Sequence, residues 1–146
     1  MIGRVIGIDP GDKRTGVAVS DALGITAQPR EVIRGRDPAM VARRIGGIAR
    51  DVGAAEIVIG LPVNMDGTEG PRAEHARDLG ARVEAFLKEG DSPLDIPVAF
   101  WDERMTSMQA SQVLRGRGKV ARKAKMDVVS AQIILQSYLD ARSRGK

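Results

Sequence analysis

Ile6-Gly7-Ile8-Asp9-Pro10-Gly11-Asp12-Lys13-Arg14-Thr15-Gly16-Val17-Ala18-Val19-Ser20-Asp21 is the stretch from which the fold can be read. An apolar run ends in an acid, turns through Pro-Gly, passes two cations and resumes as a second apolar run. Residues 1–8 predict a buried strand and residues 15–20 its neighbour. Asp9 falls where the first strand leaves the sheet. Aspartate is a poor strand residue, so its place there needs a reason. Asp-Pro-Gly favours a tight turn by itself. A carboxylate at a strand's exit can also bind metal in a cleft above the sheet. Both readings stand at this point.

The totals set the frame. A chain of 146 residues is read as one domain over 1–146, long enough to bury a real core. Hydrophobic residues at 42% and charged residues at 29% are a globular balance, which argues against wholesale disorder. The net charge of +4 favours a polyanionic partner. With no cysteine and one histidine, disulfides, thiolate metal sites, zinc catalysis and Cys-His nucleophilic chemistry are disfavoured. The same lack of cysteine suits a reducing cytosol. No apolar run reaches membrane-spanning length and no signal-peptide pattern precedes the first strand, so no membrane partner and a cytoplasmic location are expected. An aromatic content of 3% leaves little for stacking bases on an aromatic platform.

Further along, residues 26–33 predict a third strand, with Gln28-Pro29 pointing to an edge position. Asp37-Pro38 supplies an N-cap and a proline at the first helical position. Val41, Ile45, Ile48 and Val52 then fall on one helical face, and Gly53 ends the helix. Gly46-Gly47 within it would allow close packing on the sheet. Residues 56–61 predict a short buried strand, followed by a loop over 62–70 and a helix opened by Pro71, with Ala76, Leu79, Val83 and Phe86 as its apolar stripe. Residues 96–101 predict another buried strand, ending in Asp102-Glu103-Arg104. Thr106-Ser107-Met108-Gln109 fits a capping box at the head of a helix carrying Val113 and Leu114 inward. Residues 115–125 hold six cations and no acid and read as a loop. A last helix is expected from about 126 to 141, with Ala131, Ile134, Leu135 and Tyr138 on its apolar face. The order β-β-β-α-β-α-β-α-α implies an α/β fold: a mixed five-stranded sheet with helices on both faces.

Three acids stand where a neutral residue would serve the fold equally well. Asp9 ends the first strand, Asp102-Glu103 ends the last, and Asp127 lies in the first turn expected for the final helix. Parallel strands would bring their carboxyl ends to one sheet edge, where acids remote in sequence can converge. Crowded carboxylates repel unless a cation sits among them, so a convergent trio points to Mg²⁺ or Mn²⁺. Two such ions activate water and stabilise the leaving oxygen in phosphodiester cleavage. Each acid has a plainer reading too: Asp127 as a charge favourable near a helix N-terminus, Asp102-Glu103 as a loop pairing with Arg104. Strand alternation puts only one of Asp102 and Glu103 into the cleft and does not say which.

Gly7-Ile8-Asp9-Pro10-Gly11, residues 13–21, Gly60-Leu61-Pro62, Asn64-Met65-Asp66-Gly67, Asp102-Glu103-Arg104-Met105-Thr106-Ser107 and Lys125-Met126-Asp127 together resemble the YqgF/RuvX family. Several motifs in order, covering nearly the whole chain, make the resemblance specific. It implies the RNase H-like fold and an activity described either as Holliday-junction-resolvase-like or as a nuclease of pre-16S rRNA. It also implies that Asp9, Glu103 and Asp127 are the catalytic, metal-binding acids, favouring Glu103 over Asp102. In contrast to related junction resolvases, the strand over 56–61 ends without an acid, leaving Asp66 and Glu69 as the nearest candidates.

The cations fit this reading. Lys13 and Arg14 follow Asp9 closely enough to face a scissile phosphate. Arg115, Arg117, Lys119, Arg122, Lys123 and Lys125 lead into Asp127 and could clamp a nucleic-acid backbone, or form a solvated charge run. Asn64, in a loop that either closes over substrate or is a plain turn, and Arg104 complete the candidate substrate contacts. His75 reads as a surface side chain rather than a general base. Three functions follow: an Mg²⁺- or Mn²⁺-dependent endonuclease processing the 5′ end of pre-16S rRNA, a Holliday junction resolvase on four-way DNA, or a catalytically silent RNA-binding assembly factor. The Asp-x-Gly turn also resembles the phosphate loop of actin-like and sugar-kinase ATPases, but those enclose nucleotide between two such domains and this chain supplies one. The expected partner is nucleic acid, pre-rRNA or branched DNA, and the chain is expected to be a monomer or a homodimer.

Overall fold

The computed structural model describes residues 3–106 and 122–144, with the backbone alone for 106, 122–128 and 144. The elements are β1 (Arg4–Asp9), β2 (Arg14–Ser20), β3 (Ala27–Arg34), α1 (Pro38–Val52), β4 (Ala54–Leu61), α2 (Pro71–Lys88), β5 (Val98–Asp102), a single 3-10 turn (Glu103–Thr106) and α3 (Arg122–Arg144). The strands form one sheet in the order β3-β2-β1-β4-β5. β1, β4 and β5 are parallel, whereas β2 runs antiparallel to both β1 and β3. The carboxyl ends of β1, β4 and β5 therefore share one edge, where Asp9, Leu61 and Asp102 stand.

Alternation along the strands builds two cores. Ile6, Ile8, Ile57 and Ile59 point to one face and pack with Val41, Ile45 and Ile48 of α1 and Leu79, Val83 and Leu87 of α2. Val5, Ala18 and Val58 point to the other and pack with Ala131, Ile134, Leu135 and Leu139 of α3. The helix ends are set locally. Asp37 caps α1 by accepting from the Ala39 N–H at 3.0 Å, Pro38 opens it, and Gly53 closes it in the left-handed region at φ 65°. Gly46 of α1 receives the Phe86 ring of α2, so its close packing is helix on helix rather than helix on sheet, and a Cβ on Gly47 would meet open space.

On the opposite face α3 lies against β1 at Gly7, where an added Cβ would stand 2.6 Å from Leu135 Cβ and 3.2 Å from the Ala131 carbonyl oxygen. Gly7→Ala should therefore cost roughly 1–3 kcal/mol by overpacking, read as a lower urea midpoint with an unchanged slope. The far end of α3 is tied down by side chains. The Trp101 indole N–H donates to Ser137 Oγ at 3.1 Å, and the Trp101 ring meets Tyr138 edge-on at 5.5 Å. Tyr138 and Arg142 both donate to the Glu56 carboxylate, at 2.5 and 2.9 Å. Burial, together with that carboxylate, pushes the Tyr138 phenol up to about 12. Gln136 and Gln132 bind the backbone of Ala27 from the same helix.

The structure moves the start of the last helix. α3 begins at Arg122, not near Met126, so Arg122, Lys123 and Lys125 are helical rather than part of a loop. Arginine, lysine and alanine are all strong helix formers, and nothing after Gly118 breaks the run. Asp127 accordingly sits beyond the first turn. The helix expected after Thr106 lies outside the described residues, as do Arg115, Arg117 and Lys119.

Candidate active site

Asp9 is the last residue of β1, half-buried, and pairs in register with Gly16 of β2. Pro10 is buried and starts the turn. At Gly11 any Cβ would collide with the Arg14 carbonyl oxygen, so the turn that aims Asp9 off the sheet admits only glycine there.

Glu103 approaches from two strands away. β5 ends at Asp102, and the 3-10 turn begins at Glu103, so the alternation of the strand no longer governs its direction. Its side chain reaches over β4 and is hydrogen-bonded to Asp9. Gly60 of β4 makes that reach possible: a Cβ on it would lie 3.2 Å from Glu103 Cγ and 2.6 Å from Ile134 Cδ1. Burial pushes the Glu103 carboxyl above its ordinary value, and the Asp102 charge adds to this. The charge of Arg72 and the bond to Asp9 pull the other way without cancelling it. Two half-buried carboxyl groups in contact can hydrogen-bond only by sharing a proton, and when both ionise they crowd negative charge that a cation would relieve.

Asp102 is engaged elsewhere. Its carboxylate accepts from the Arg104 guanidinium at 2.7 Å and from the Arg104 backbone N–H at 2.9 Å, and this pairing holds it below the usual carboxylate range. Arg104 also reaches the carbonyl oxygens of Asn64 and Met65, at 3.5 and 3.3 Å. It thereby struts the 64–70 loop against the end of β5, whatever else it contacts. The loop is closed on itself. Val63 bridges Glu69, the Asn64 side-chain amide donates to Thr68 Oγ1 at 3.0 Å, and Asp66 accepts from the Thr68 hydroxyl at 2.6 Å. Glu69 is paired with Arg77 at 2.7 Å. Asp66 and Glu69 thus serve the loop, and among the described residues no group of three metal-ligating side chains gathers.

Asp127 is placed by backbone only. It precedes by about two helical turns Leu135, which packs on Gly7, two residues short of Asp9 in β1. With Gln136 at the start of β3 and Tyr138 at the start of β4, the N-terminal part of α3, which carries position 127, runs toward the sheet edge where Asp9 stands.

Lys13 lies exposed in the β1–β2 turn, and Arg14 opens β2 directly opposite Arg34 of β3. Like charges opposite one another on antiparallel strands repel, and the register sets two arginines side by side at this end of the sheet. Arg36 follows, with Asp12 as its partner at 3.7 Å. The sequence reading missed Arg34 and Arg36, although the charges at the end of a predicted edge strand could have signalled them. It missed Arg72 because nothing in a linear reading links the start of α2 to Glu103. His75 is half-buried rather than a surface group and lines a cleft beside the Asp9 turn.

The model of the RuvX family, described as Holliday junction resolvase, matches residues 3–141. The chain belongs to the RuvX family. A relative from Halothermothrix orenii, named "Putative pre-16S rRNA nuclease", is 42% identical over 143 residues, spanning 97% of each chain. One of the same name from Symbiobacterium thermophilum is 43% identical over 142 residues, covering 96% of this chain and 94% of that one. Among solved structures, T. thermophilus RuvC in complex with a Holliday junction substrate superposes with a TM-score of 0.65 at 15% identity, over 97% of this chain and 96% of that one. The yeast mitochondrial Holliday junction resolvase Ydc2 gives 0.57 at 10% identity, over 98% and 80%. These likenesses establish the resolvase type of RNase H-like fold, and the family together with its curated relatives places this RuvX member among nucleases. No helix among the described residues is long and apolar enough to cross a membrane.

Proposed function

We propose that Asp9 and Glu103, joined by Asp127, are the hydrolytic centre of a divalent-metal-dependent nuclease whose substrate is pre-16S rRNA. The observation that carries this is the contact between the Asp9 and Glu103 side chains across Gly60. The donor set is all carboxylate oxygen, which suits Mg²⁺ or Mn²⁺ rather than a softer ion. Bound by these acids, such an ion supplies activated water and stabilises the departing oxygen at phosphorus. The chain's own residues do the rest. Asp9 is aimed by the Pro10-Gly11 turn and Glu103 by the 3-10 turn, so the two oxygens are presented without rearrangement of the sheet. Arg72 adds positive charge on the Glu103 side. Lys13 and Arg14, with Arg34 and Arg36, form a cationic margin for the phosphate backbone. Arg122, Lys123 and Lys125 on α3, with Arg115, Arg117 and Lys119 before it, are assigned to the same backbone, and Asn64 and Arg104 to the loop facing it.

Ribosomal RNA is preferred over DNA because the relatives named for it share about 40% of their residues with this chain. The likeness to the junction-bound resolvase stands at 15% identity and speaks only to fold. A four-way DNA junction is the second reading, carried by the family's own description. It needs two cuts, which favours a dimer, whereas trimming an rRNA end in the cytoplasm needs only one site and leaves monomer or homodimer open. The deciding experiment offers purified protein a precursor rRNA fragment and a four-way junction, each with and without Mn²⁺. Cleavage of the RNA alone is expected. Cleavage of the junction alone would replace the substrate, and salt-sensitive binding with no cleavage of either would leave an assembly factor.

Arg34 gives a separate check. Arg34→Gln should lower the salt dependence of RNA binding by about one counterion in slope while leaving thermal stability equal or higher, because the facing Arg14 loses a like charge. Filter binding across a salt series reads the first, and a melting curve reads the second.

A further inference from the structure

Between the β1–β2 turn and the start of α2 lies a cleft of about 290 Å³, lined by Pro10, Gly11, Asp12, Pro71, Arg72 and His75. It opens one residue along from Asp9, and Arg72 on its wall acts on the charge of Glu103. Pro10 is buried and His75 half-buried, while Asp12, Pro71 and Arg72 stand exposed around them. The lining thus offers an apolar floor, a guanidinium fork and an imidazole able to donate and to accept. The acid on the rim, Asp12, faces Arg36 at 3.7 Å, which offsets its charge. A space at the lower end of small-ligand pockets has room for one residue of a polynucleotide and excludes a duplex. A guanidinium binds a phosphate in two-pronged fashion, and Arg72 is placed to do so beside the acidic pair.

We propose that this cleft is a subsite for the single nucleotide adjoining the scissile phosphate, with that nucleotide's own phosphate on Arg72 and its sugar and base against Pro10, Pro71 and His75. The inference rests on the nuclease reading, since it takes the acidic pair as the point of scission. It makes Arg72 and His75 specificity determinants. It also requires the substrate to be single-stranded, or to splay out one residue, at this position.

His75 is the chain's one histidine, so its ring protons give an isolated NMR signal. The metal-free full chain is titrated with uridine 5′-monophosphate, with inorganic phosphate and with uridine. A saturable shift of the imidazole signal is expected with the nucleotide, at least tenfold weaker with phosphate or uridine alone. Arg72→Ala should weaken nucleotide binding tenfold or more, and Arg72→Lys, which keeps the charge but not the fork, should fall between. A response to phosphate as strong as to the nucleotide would overturn the assignment, as would no saturable shift, or unchanged binding in Arg72→Ala. On a cleavable oligonucleotide, an abasic residue beside the cut should raise KM in the wild type and have little further effect in Arg72→Ala. An equal abasic effect in both proteins would also count against the subsite. Cleavage without any NMR response removes the subsite and leaves the acids in place. An NMR response in a protein that cuts nothing removes the nuclease reading instead.

Discussion

Asp9→Asn should leave a folded protein that no longer cuts. Asparagine keeps the shape of the side chain, and the turn that positions it depends on Pro10 and Gly11 rather than on the charge. What it removes is one anionic oxygen from the pair with Glu103. If that pair holds the ion that stabilises charge at phosphorus, several kcal/mol of transition-state stabilisation go with it, or about three orders of magnitude in rate. Single-turnover cleavage of a precursor rRNA fragment in Mn²⁺ measures this, alongside a melting curve to show that the fold survives. Binding of the RNA through the basic margin should persist, because Lys13, Arg14 and Arg34 are untouched. A variant that cuts at the wild-type rate would take Asp9 out of the chemistry.

Glu103→Gln should abolish cleavage to a similar degree and at the same time make the metal-free protein more stable at neutral pH. The sign follows from burial, which raises the Glu103 carboxyl above its ordinary value of 4.5 in the folded chain. A group raised in this way supports the fold fully below its unfolded value, and that support is lost as pH rises through the folded value. Glutamine mimics the protonated form at every pH. The variant should therefore melt higher than the wild type near pH 7, and the gap should close as the pH drops toward the unfolded value. Divalent metal should act the opposite way: Mn²⁺ at a hundred times its Kd would stabilise the wild type by about 2.7 kcal/mol and the variant far less. Thermal melts of both proteins across pH, with and without Mn²⁺, test all three statements. A wild type indifferent to Mn²⁺ would separate the acidic pair from metal altogether.

Much of this arrangement could be read in one dimension. The apolar runs around Asp9 foretold β1 and β2, but that β1, β4 and β5 run parallel, with their carboxyl ends at one edge, was only a condition in the sequence and is seen in the sheet itself. Strand alternation could not separate Asp102 from Glu103. The reason is now plain: the strand stops between them, and Arg104 takes Asp102 two residues back in the chain. Gly60 could be seen as a glycine in a strand, but not as the gap through which Glu103 passes, since that depends on which strands flank β4. Arg72 and His75 were illegible for the same reason, being brought beside the Asp9 turn only by the packing of α2. Gly46-Gly47 was read as a contact with the sheet. A glycine in an amphipathic helix says that something comes close, not from which side, and here it is Phe86 of the neighbouring helix.

The seating of α3 carries a practical consequence. Trp101 is the chain's single indole, and its N–H and its ring both engage that helix, through Ser137 and Tyr138. Tryptophan emission is thus a built-in gauge of whether α3 is docked on the sheet. Its quenching or red shift would register the moment the helix lifts, without any dye or label.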